Sequence, residues 1–307
     1  MKIELKIQRS WPVVVLALTL IPFAGWASDA FRIGEPVSVA GGGLGDGGPA
    51  LSASVLPLDV LAAPDGRILI ADEQFNRVRA VSVDGRISTV VGSGRYRDDD
   101  GFPVAALASS LRVPAGMALS PDGSLLYVVD LGNHRISVVE ADGALRTFVG
   151  PEHPLFATVP GEFAPAGVAV GPEGKVHVAD RGQNVVWQFE PEGRQAAGRK
   201  VAGNGTRGFG GDGGPSALGQ VADPRAVVVG SDGSIYVADF ANRRVRKVGP
   251  DGRIQTVAGN GREDPWGGIS LPALAASLKP VDVALDRDGR LLILDGLENR
   301  VLRLRDG

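Results

Sequence analysis

The chain has 307 residues, of which 44% are hydrophobic, and a formal net charge of −3. This length can bury a large core, and the 44 Gly and 21 Pro favour short strands joined by tight turns. The sequence has no Cys, which excludes disulfides, thiolate metal sites and a catalytic thiol, and its mildly acidic balance argues against a nucleic acid partner.

Residues 1–27 have the pattern of an export signal. Three basic residues precede an apolar run over 11–24, and small residues at 25 and 27 provide a cleavage site after Ala27. An uncleaved membrane anchor is the alternative, but two prolines interrupt the run, which is shorter than the ~20 residues of a spanning helix. We predict a signal peptide over 1–27, a periplasmic or extracellular domain over 28–307, and no stable membrane insertion after cleavage.

One pattern occurs five times along the rest of the chain. Its copies begin 51 to 59 residues apart, at Pro57, Pro114, Pro165, Pro224 and Pro280. Each copy contains β-rich runs separated by turns, and many of these turns are Asp-Gly pairs that favour hairpins. Each copy is therefore predicted to be a four-stranded antiparallel meander.

Such a meander cannot bury both of its faces alone, so the copies are expected to stack around an axis. The last copy stops after its third strand, whereas residues 36–41 resemble the fourth-strand text at 254–259. We predict an all-β, five-bladed β-propeller of four-stranded antiparallel blades, closed by the N-terminal strand. We expect it to be a monomer.

The text between the second and third strands is the most regular part of the repeat. It reads Ala-Asp-Glu-Gln-Phe-Asn-Arg-Val over 71–78, and related text occupies 130–136, 238–245 and 295–301. It resembles the NHL-repeat family of β-propellers, which implies a propeller over about 36–307 and a role in protein interaction. The third copy departs from the family pattern, because 180–186 lacks the usual Arg. Six blades are common in that family, but the spacing here leaves room for five.

An Asp and an Asn recur in this turn, which suggests either a metal or catalytic site or a structural motif. Recurrence favours structure, because a single active site needs asymmetry, and we expect the Asp and Asn to satisfy backbone donors in the turn. The Arg that follows is expected to form an inter-blade ion pair or to clamp a carbonyl. The acids are Asp72, Asp130, Asp239 and Asp295; the amides are Asn76, Asn133, Asn242 and Asn299; the arginines are Arg77, Arg135, Arg243 and Arg300.

The long connections between copies are expected to lie on one face of the ring, where repeat proteins often bind partners. They are 41–56, 92–113, 150–164, 203–223 and 259–279. Two contain Gly-Asp-Gly-Gly-Pro, with Asp46 and Asp212, and a third contains acids at 98–100. These acids either bind a cation or form Asx turns, and we favour the turns. The loop aromatics, either anchors for a partner or lids over the blades, are Phe102, Phe156, Phe163, Phe209 and Trp266.

The clearest asymmetry lies two residues after each repeat-starting Pro. The five residues there are Asp59, Gly116, Gly167, Ala226 and Asp282. The first and last copies become neighbours when the ring closes, so the two acids should meet near the central channel. They would bind a divalent cation such as Ca²⁺ or raise one pKa for acid–base work, with Arg225 balancing their charge; alternatively, each accepts backbone donors, which we favour.

These features predict a noncatalytic binding platform for a protein or glycan, acting through the long-loop face. The alternative is a propeller hydrolase similar to the gluconolactonase group of lactonases, or a lyase similar to the amidating lyases. The lactonase resemblance implies channel carboxylates and an Asn around a divalent ion, for which Asp59 and Asp282 are candidates. The lyase resemblance is poorer, because those enzymes use His ligands and disulfides, and the three histidines here (His134, His153 and His177) are scattered.

Overall fold

A computed structural model describes residues 45–95, 104–191, 197–263 and 272–304. The predicted signal peptide and the predicted closing strand 36–41 lie outside these residues. In chain order, the strands are β1 (Pro57–Ala62), β2 (Ile68–Asp72), β3 (Arg77–Val81), β4 (Ile87–Val91), β5 (Val104–Ala105), β6 (Pro114–Leu119), β7 (Leu126–Asp130), β8 (Arg135–Val139), β9 (Ala144–Val149), β10 (Pro165–Val170), β11 (Val176–Asp180), β12 (Val185–Phe189), β13 (Gly198–Ala202), β14 (Pro224–Val229), β15 (Ile235–Asp239), β16 (Arg244–Val248), β17 (Ile254–Ala258), β18 (Pro280–Leu285), β19 (Leu291–Asp295) and β20 (Arg300–Arg303).

The strands form five antiparallel sheets, which are the blades of an all-β propeller, as predicted. Blades 1, 3 and 4 are four-stranded meanders, β1–β4, β10–β13 and β14–β17. Blade 2 consists of β6–β9 and carries the short β5 as a fifth strand on β9. Blade 5 has the three strands β18–β20 within the described residues. The five repeat-starting prolines each begin an innermost strand, which confirms the register read from the sequence.

The hydrophobic cores lie between neighbouring blades. Val78 of blade 1 packs in one cluster with Val128 of blade 2, and Phe148 of blade 2 packs with Trp187 of blade 3. Equivalent clusters join blade 3 to blade 4 and blade 4 to blade 5. The inner strands β1, β6, β10, β14 and β18 also contact one another in chain order. Each blade therefore buries its apolar faces against the next blade, as the repeat pattern required.

Short 3₁₀ turns interrupt the connections, and four of them precede blades 1, 2, 4 and 5. Each of these four exposes one leucine, at the second residue of the turn in Leu51, Leu107 and Leu274 and at the third in Leu218. Two of these turns directly follow the Gly-Asp-Gly-Gly-Pro segments. No helix within the described ranges is long and apolar enough to cross a membrane. The six 3₁₀ turns are Ala50–Ser52, Ala106–Ala108, Leu131–Asn133, Pro154–Thr158, Ser216–Leu218 and Ala273–Ala275.

Candidate functional site

Each inner strand begins with a bulge, and the bulge decides where the third residue of the strand points. The pairing register shifts between Pro57 and Asp59 in β1 and between Pro280 and Asp282 in β18, and β6, β10 and β14 shift at the same place. A bulge re-aims the side chain at that point. A Cβ on Gly167 would lie 2.6 Å from the carbonyl oxygen of Arg225, so this position faces the next blade, where there is no room for a side chain.

The side chain of Asp59 points toward blade 2 and links blade 1 to it. Its Oδ2 accepts a hydrogen bond of 2.6 Å from the backbone N–H of Met117 in β6, and its Oδ1 accepts one of 2.8 Å from Val60 N–H. Both oxygens thus hold backbone donors, which is the structural role that the sequence favoured. In the two seams that follow, Gly116 and Gly167 let the inner strands meet directly.

The structure brings Asp282 close to Asp59. The pKa of Asp59 is raised well above its usual value. Burial is the largest cause, and the negative charge of Asp282 is the second. Burial also raises the pKa of Asp282 to about 6. Asp282 makes one hydrogen bond within the described part of the chain, accepting from Val283 N–H at 2.8 Å. Both side chains keep partial access to solvent, so a proton can be exchanged near neutral pH.

Arg225 does not balance this pair, contrary to the sequence prediction. Its Nη2 lies 3.2 Å from Asp223 Oδ2, and its guanidinium stacks on Phe240 with Cζ 3.2 Å from the ring centroid. Arg225 is not among the causes of the shifted pKa of Asp59 or of Asp282. The bulge explains the difference, because the second and third residues of an inner strand do not point the same way. Arg225 belongs to a separate group at the channel mouth.

The recurring aspartates are structural, as predicted, but their shared donor is not in the turn. Asp72, Asp130, Asp180, Asp239 and Asp295 are fully buried at the ends of the second strands. Each accepts a backbone N–H from a residue just before the inner strand of its own blade, which fixes the entry to that strand. The donors are Leu56, Arg112, Ala164, Ala222 and Lys279.

The arginine prediction holds in part. Arg77 donates to the Ser93 carbonyl and Arg135 to the Ser110 carbonyl, as expected of carbonyl clamps. The buried partners of Asp72 and Asp239, however, are Arg79 and Arg246, and Arg243 instead pairs with Glu263. In blade 1 the strand alternation explains this, because Arg77 and Arg79 are two residues apart in β3 and share a face. Arg300 pairs with Asp295 as an ion pair within its own blade.

Asp46 and Asp212 are engaged in two equivalent networks. Asp46 accepts from Arg79 Nη2 at 2.6 Å and from Thr89 Oγ1 at 2.5 Å. Asp212 accepts from Arg246 Nη2 at 2.7 Å and from Thr256 Oγ1 at 2.8 Å. Each buried arginine therefore bridges a loop carboxylate and a strand-end carboxylate. These contacts favour loop anchoring over cation binding, although the partners are side chains and not the backbone of an Asx turn.

The loop aromatics divide into lids and one exposed ring. Phe156 and Phe163 are buried and stack with ring centroids 3.9 Å apart, so they act as lids. Phe209 is 44% exposed and forms one side of a surface cleft of about 540 Å³. Arg244 stacks on Phe209 with Cζ 3.9 Å from the ring, and Leu274, 58% exposed, lines the cleft with Asn260 and Thr256. We call this cleft the rim groove. Trp266, Phe102 and the acids at 98–100 lie outside the described residues.

Comparison with known proteins places this architecture in a family. The profile of the SMP-30/Gluconolactonase/LRE-like region (SGL) family matches residues 52–211, just over half of the chain. The chain belongs to the SGL family. Its match covers blades 1 to 3 and the loop that carries Phe209.

The proteins similar to this chain are distant in sequence. The Arabidopsis thaliana protein SUPPRESSOR OF QUENCHING 1, chloroplastic, is 26% identical over 257 residues, 78% of this chain but 24% of that protein. This chain therefore spans about a quarter of that relative. An auxiliary nutrient binding protein from Bacteroides ovatus has a TM-score of 0.57 at 17% identity, with 81% of this chain and 59% of that chain covered. A Xanthomonas campestris gluconolactonase has a TM-score of 0.53 at 15% identity, covering 82% and 72%. These structures show a common fold.

The resemblance to lactonases implies a divalent ion in the channel. The residues of this chain must then offer free oxygen or nitrogen ligands to hold that ion. Asp59 and Asp282 use three of their four oxygens to accept backbone N–H groups. Over 45–95, 104–191, 197–263 and 272–304, no group of three or more His, Cys, Asp or Glu could hold a metal. His177 is buried beside Gln188, and burial lowers its pKa to about 4. These residues do not fit a preformed ion site.

Sequence reasoning missed Phe240 and Lys279. Lys279 immediately precedes β18, and its Nζ lies 4.9 Å from the Phe240 ring centroid, on the ring that also carries Arg225. A signal was present, because the residue after each recurring Asp differs in every blade. These residues are Glu73, Leu131, Arg181, Phe240 and Gly296.

Proposed function

We propose that this SGL-family chain is a secreted or periplasmic binding platform that holds a protein or glycan partner on its long-loop face. The rim groove is the observation that carries the proposal. It brings an exposed aromatic ring and an exposed leucine into the lining of one cleft. Isolated exposed apolar residues are ordinary, but an aromatic and an aliphatic side chain that share a cleft provide anchors for a partner.

The groove is held rigidly, which favours binding. Arg244 supports the Phe209 ring from one side while it donates to the Asn242 and Asn260 carbonyls at 2.8 and 2.9 Å. Gly261 has φ +83°, and a Cβ there would lie 2.2 Å from the Arg244 guanidinium, so only glycine permits this packing. A ring that is already fixed loses little conformational entropy when a partner covers it.

The resemblances are consistent with a binding role. The turn text similar to NHL repeats suggests protein interaction, and the structurally similar Bacteroides ovatus protein is named as nutrient binding. Residues that differ among equivalent loops also support the groove. The position of Phe209 in the blade 4 loop corresponds to Gly43 in the blade 1 loop, so only one of the two Gly-Asp-Gly-Gly-Pro loops presents a ring.

The test compares the Phe209→Ala, Leu274→Ala double variant with two controls. Leu51→Ala removes the equivalent leucine of blade 1, and Val83→Ala removes an exposed apolar residue from the turn between β3 and β4. The mature protein is used on a glycan array and in cross-linked capture from an envelope extract of the producing cell. We expect a partner that wild type and both controls retain and the double variant loses. Equal retention by all four proteins, or no specific partner, would contradict the proposal.

A second candidate, a propeller hydrolase acting on a lactone, is favoured by one observation: two carboxyls of raised pKa meet at the channel. Asp282 would act as the acid–base group, because its second oxygen has no hydrogen-bond partner within the described part of the chain, whereas both oxygens of Asp59 hold N–H donors. In this role, Asp282 would remove a proton from the attacking water, and a proton would return to the leaving oxygen of the opened ring.

The assay follows hydrolysis of glucono-δ-lactone, chosen because a structurally similar protein is a gluconolactonase. It is run with added Ca²⁺ and with chelator. If the chain is a lactonase, Asp282→Asn removes activity, while Asp65→Asn, in an exposed turn, leaves it unchanged. Absence of activity above the spontaneous rate with either addition would reject this candidate and leave the binding proposal untouched.

A further inference from the structure

A compact cationic group lies at the end of the channel where the inner strands begin. Arg225 is the second residue of β14, and Lys279 immediately precedes β18. Phe240 follows the buried Asp239, and Lys279 N–H donates to the buried Asp295 at 2.9 Å. Asp223 N–H donates to Asn184 Oδ1 of blade 3 at 3.0 Å. The backbones that carry these side chains are therefore fixed by the framework of the blades.

One aromatic ring serves two cations. The Arg225 guanidinium carbon is 3.2 Å from the Phe240 ring centroid, and Lys279 Nζ is 4.9 Å from the same centroid. A phenyl face attracts a cation through its quadrupole, by about 0.5–1 kcal/mol at an exposed site. It does not neutralise charge, so two like charges remain close together in a partly buried place.

The charges of the group do not balance. Asp223 pairs with Arg225 at 3.2 Å, and no carboxylate among the described residues forms an ion pair with Lys279. The Arg225 Nε is buried and has no hydrogen-bond partner there. Two cations and one carboxylate leave one positive charge, together with donors on Arg225 and Lys279 that a ligand could satisfy.

The neighbouring surface strengthens the positive field. Arg181, exposed and without an ion pair among the described residues, occupies in blade 3 the position that Phe240 occupies in blade 4. The whole chain carries a net charge of −3, so this patch is positive on a protein whose overall charge is negative. A local charge of opposite sign at a channel mouth concentrates anions there.

We propose that Arg225, Phe240 and Lys279 form a binding site for the carboxylate or phosphate group of a small anionic ligand at the mouth of the channel. Arg225 and Lys279 donate charge-assisted hydrogen bonds to the oxyanion, and Phe240 holds both cations in place before the ligand arrives. The site shares no residue with the rim groove, and it does not depend on the partner proposed there.

The test titrates wild type with inorganic phosphate and, in a separate arm, with succinate, by calorimetry at constant ionic strength set with NaCl. The arm that saturates identifies the oxyanion class. Lys279→Gln is expected to weaken that binding about tenfold, which corresponds to about 1.4 kcal/mol. The matched control is Lys247→Gln, because Lys247 Nζ also lies over an aromatic ring, 5.4 Å from Tyr236, but belongs to the third strand of blade 4.

Phe240→Trp provides a local readout, since indole keeps the cation–π contact and its fluorescence should change with the same saturation curve. Circular dichroism checks the fold of every variant. Saturable binding that Lys279→Gln weakens and Lys247→Gln preserves supports the site. No saturation in either arm, or an equal loss in the two lysine variants, overturns it.

Discussion

Two aspartates in this propeller have a pKa raised to about 6 and yet have different roles. Asp239 lies at the end of β15 and accepts hydrogen bonds from Ala222 N–H and Asn242, with Arg246 at 3.3 Å. Asp282 lies in the bulge of β18, lies close to Asp59, and accepts a hydrogen bond from Val283 N–H. In both, burial is the largest cause of the raised pKa.

A raised pKa therefore does not by itself mark a functional site. Asp239 has an equivalent in every blade, and its partners tie the second strand to the start of the inner strand. Asp282 has an acidic counterpart only at Asp59, and among the described residues its carboxylate accepts a single hydrogen bond. Recurrence and the set of partners, and not the pKa, separate framework from candidate site.

The largest expected effect is that of Asp239→Ala. It removes the acceptor of Ala222 N–H and leaves the fully buried Arg246 with only Asp212 as a carboxylate partner, so we expect a loss of about 3–5 kcal/mol of unfolding free energy. Urea unfolding at pH 7 measures it. Asp65→Ala, in an exposed turn, serves as control and should change stability little. A cost below about 1 kcal/mol would contradict the framework role.

Asp282→Asn is expected to act in the opposite direction. Because the folded pKa of Asp282, about 6, exceeds its ordinary 3.8, the folded state binds more protons than the unfolded state between these values, and stability falls as pH rises through that window. Asparagine keeps the acceptor for Val283 N–H and removes the charge.

The variant should therefore be about 1–3 kcal/mol more stable than wild type at pH 7.5, and the two should converge near pH 4. Urea unfolding at pH 4, 5.5 and 7.5 gives the comparison. A variant less stable than wild type at pH 7.5 would mean that a cation or donor compensates the charge of Asp282.

The framework of the blades was predictable from sequence, because every copy of the repeat shows the same pattern of strands and turns. The recurring Asp, the Asp-Gly hairpins and the start of each inner strand all depend on residues close together in the chain. The partners of the recurring Asp were harder to choose. Arg77 and Arg79 share a face of β3 and both pair with Asp46, and only the folded distances select Arg79 as the partner of Asp72. In blades 2 and 3, Ser137 and Trp187 occupy the position of Arg79.

The candidate sites were predictable only in part. The approach of Asp59 to Asp282 was predictable, because the first and last of the five repeats become neighbours when the ring closes. The ring that Arg225 and Lys279 share could not be inferred, since these residues are 54 positions apart and neither residue type recurs at the equivalent position of another blade. Side-chain direction at a bulge is set by local backbone geometry, which periodicity does not encode.

A smaller effect is expected where the framework supports the channel mouth. Asn184 Oδ1 accepts Asp223 N–H, and Asn76 Oδ1 accepts the equivalent Val113 N–H at 2.8 Å. Asp223 and Val113 have φ of +50° and +54°, which their neighbours must hold. Asn184→Ala and Asn76→Ala should each cost about 1 kcal/mol in urea unfolding. Only Asn184→Ala should also weaken phosphate or succinate binding, because only Asp223 pairs with Arg225. If the two variants changed anion binding equally, Asp223 would have no specific role in the anion site.

The smallest expected change in stability is that of Phe209→Ala. The ring is partly exposed and its main contact is Arg244, so its loss should cost about 0.5 kcal/mol, the value of an exposed cation–π contact. Partner retention should nevertheless fall at least about tenfold, as expected for a central aromatic anchor. Phe156→Ala is the matched contrast, because that ring is buried in the core between blades 2 and 3 and should cost about 3–5 kcal/mol. A Phe209→Ala variant that loses several kcal/mol while keeping its partner would make Phe209 a lid like Phe156.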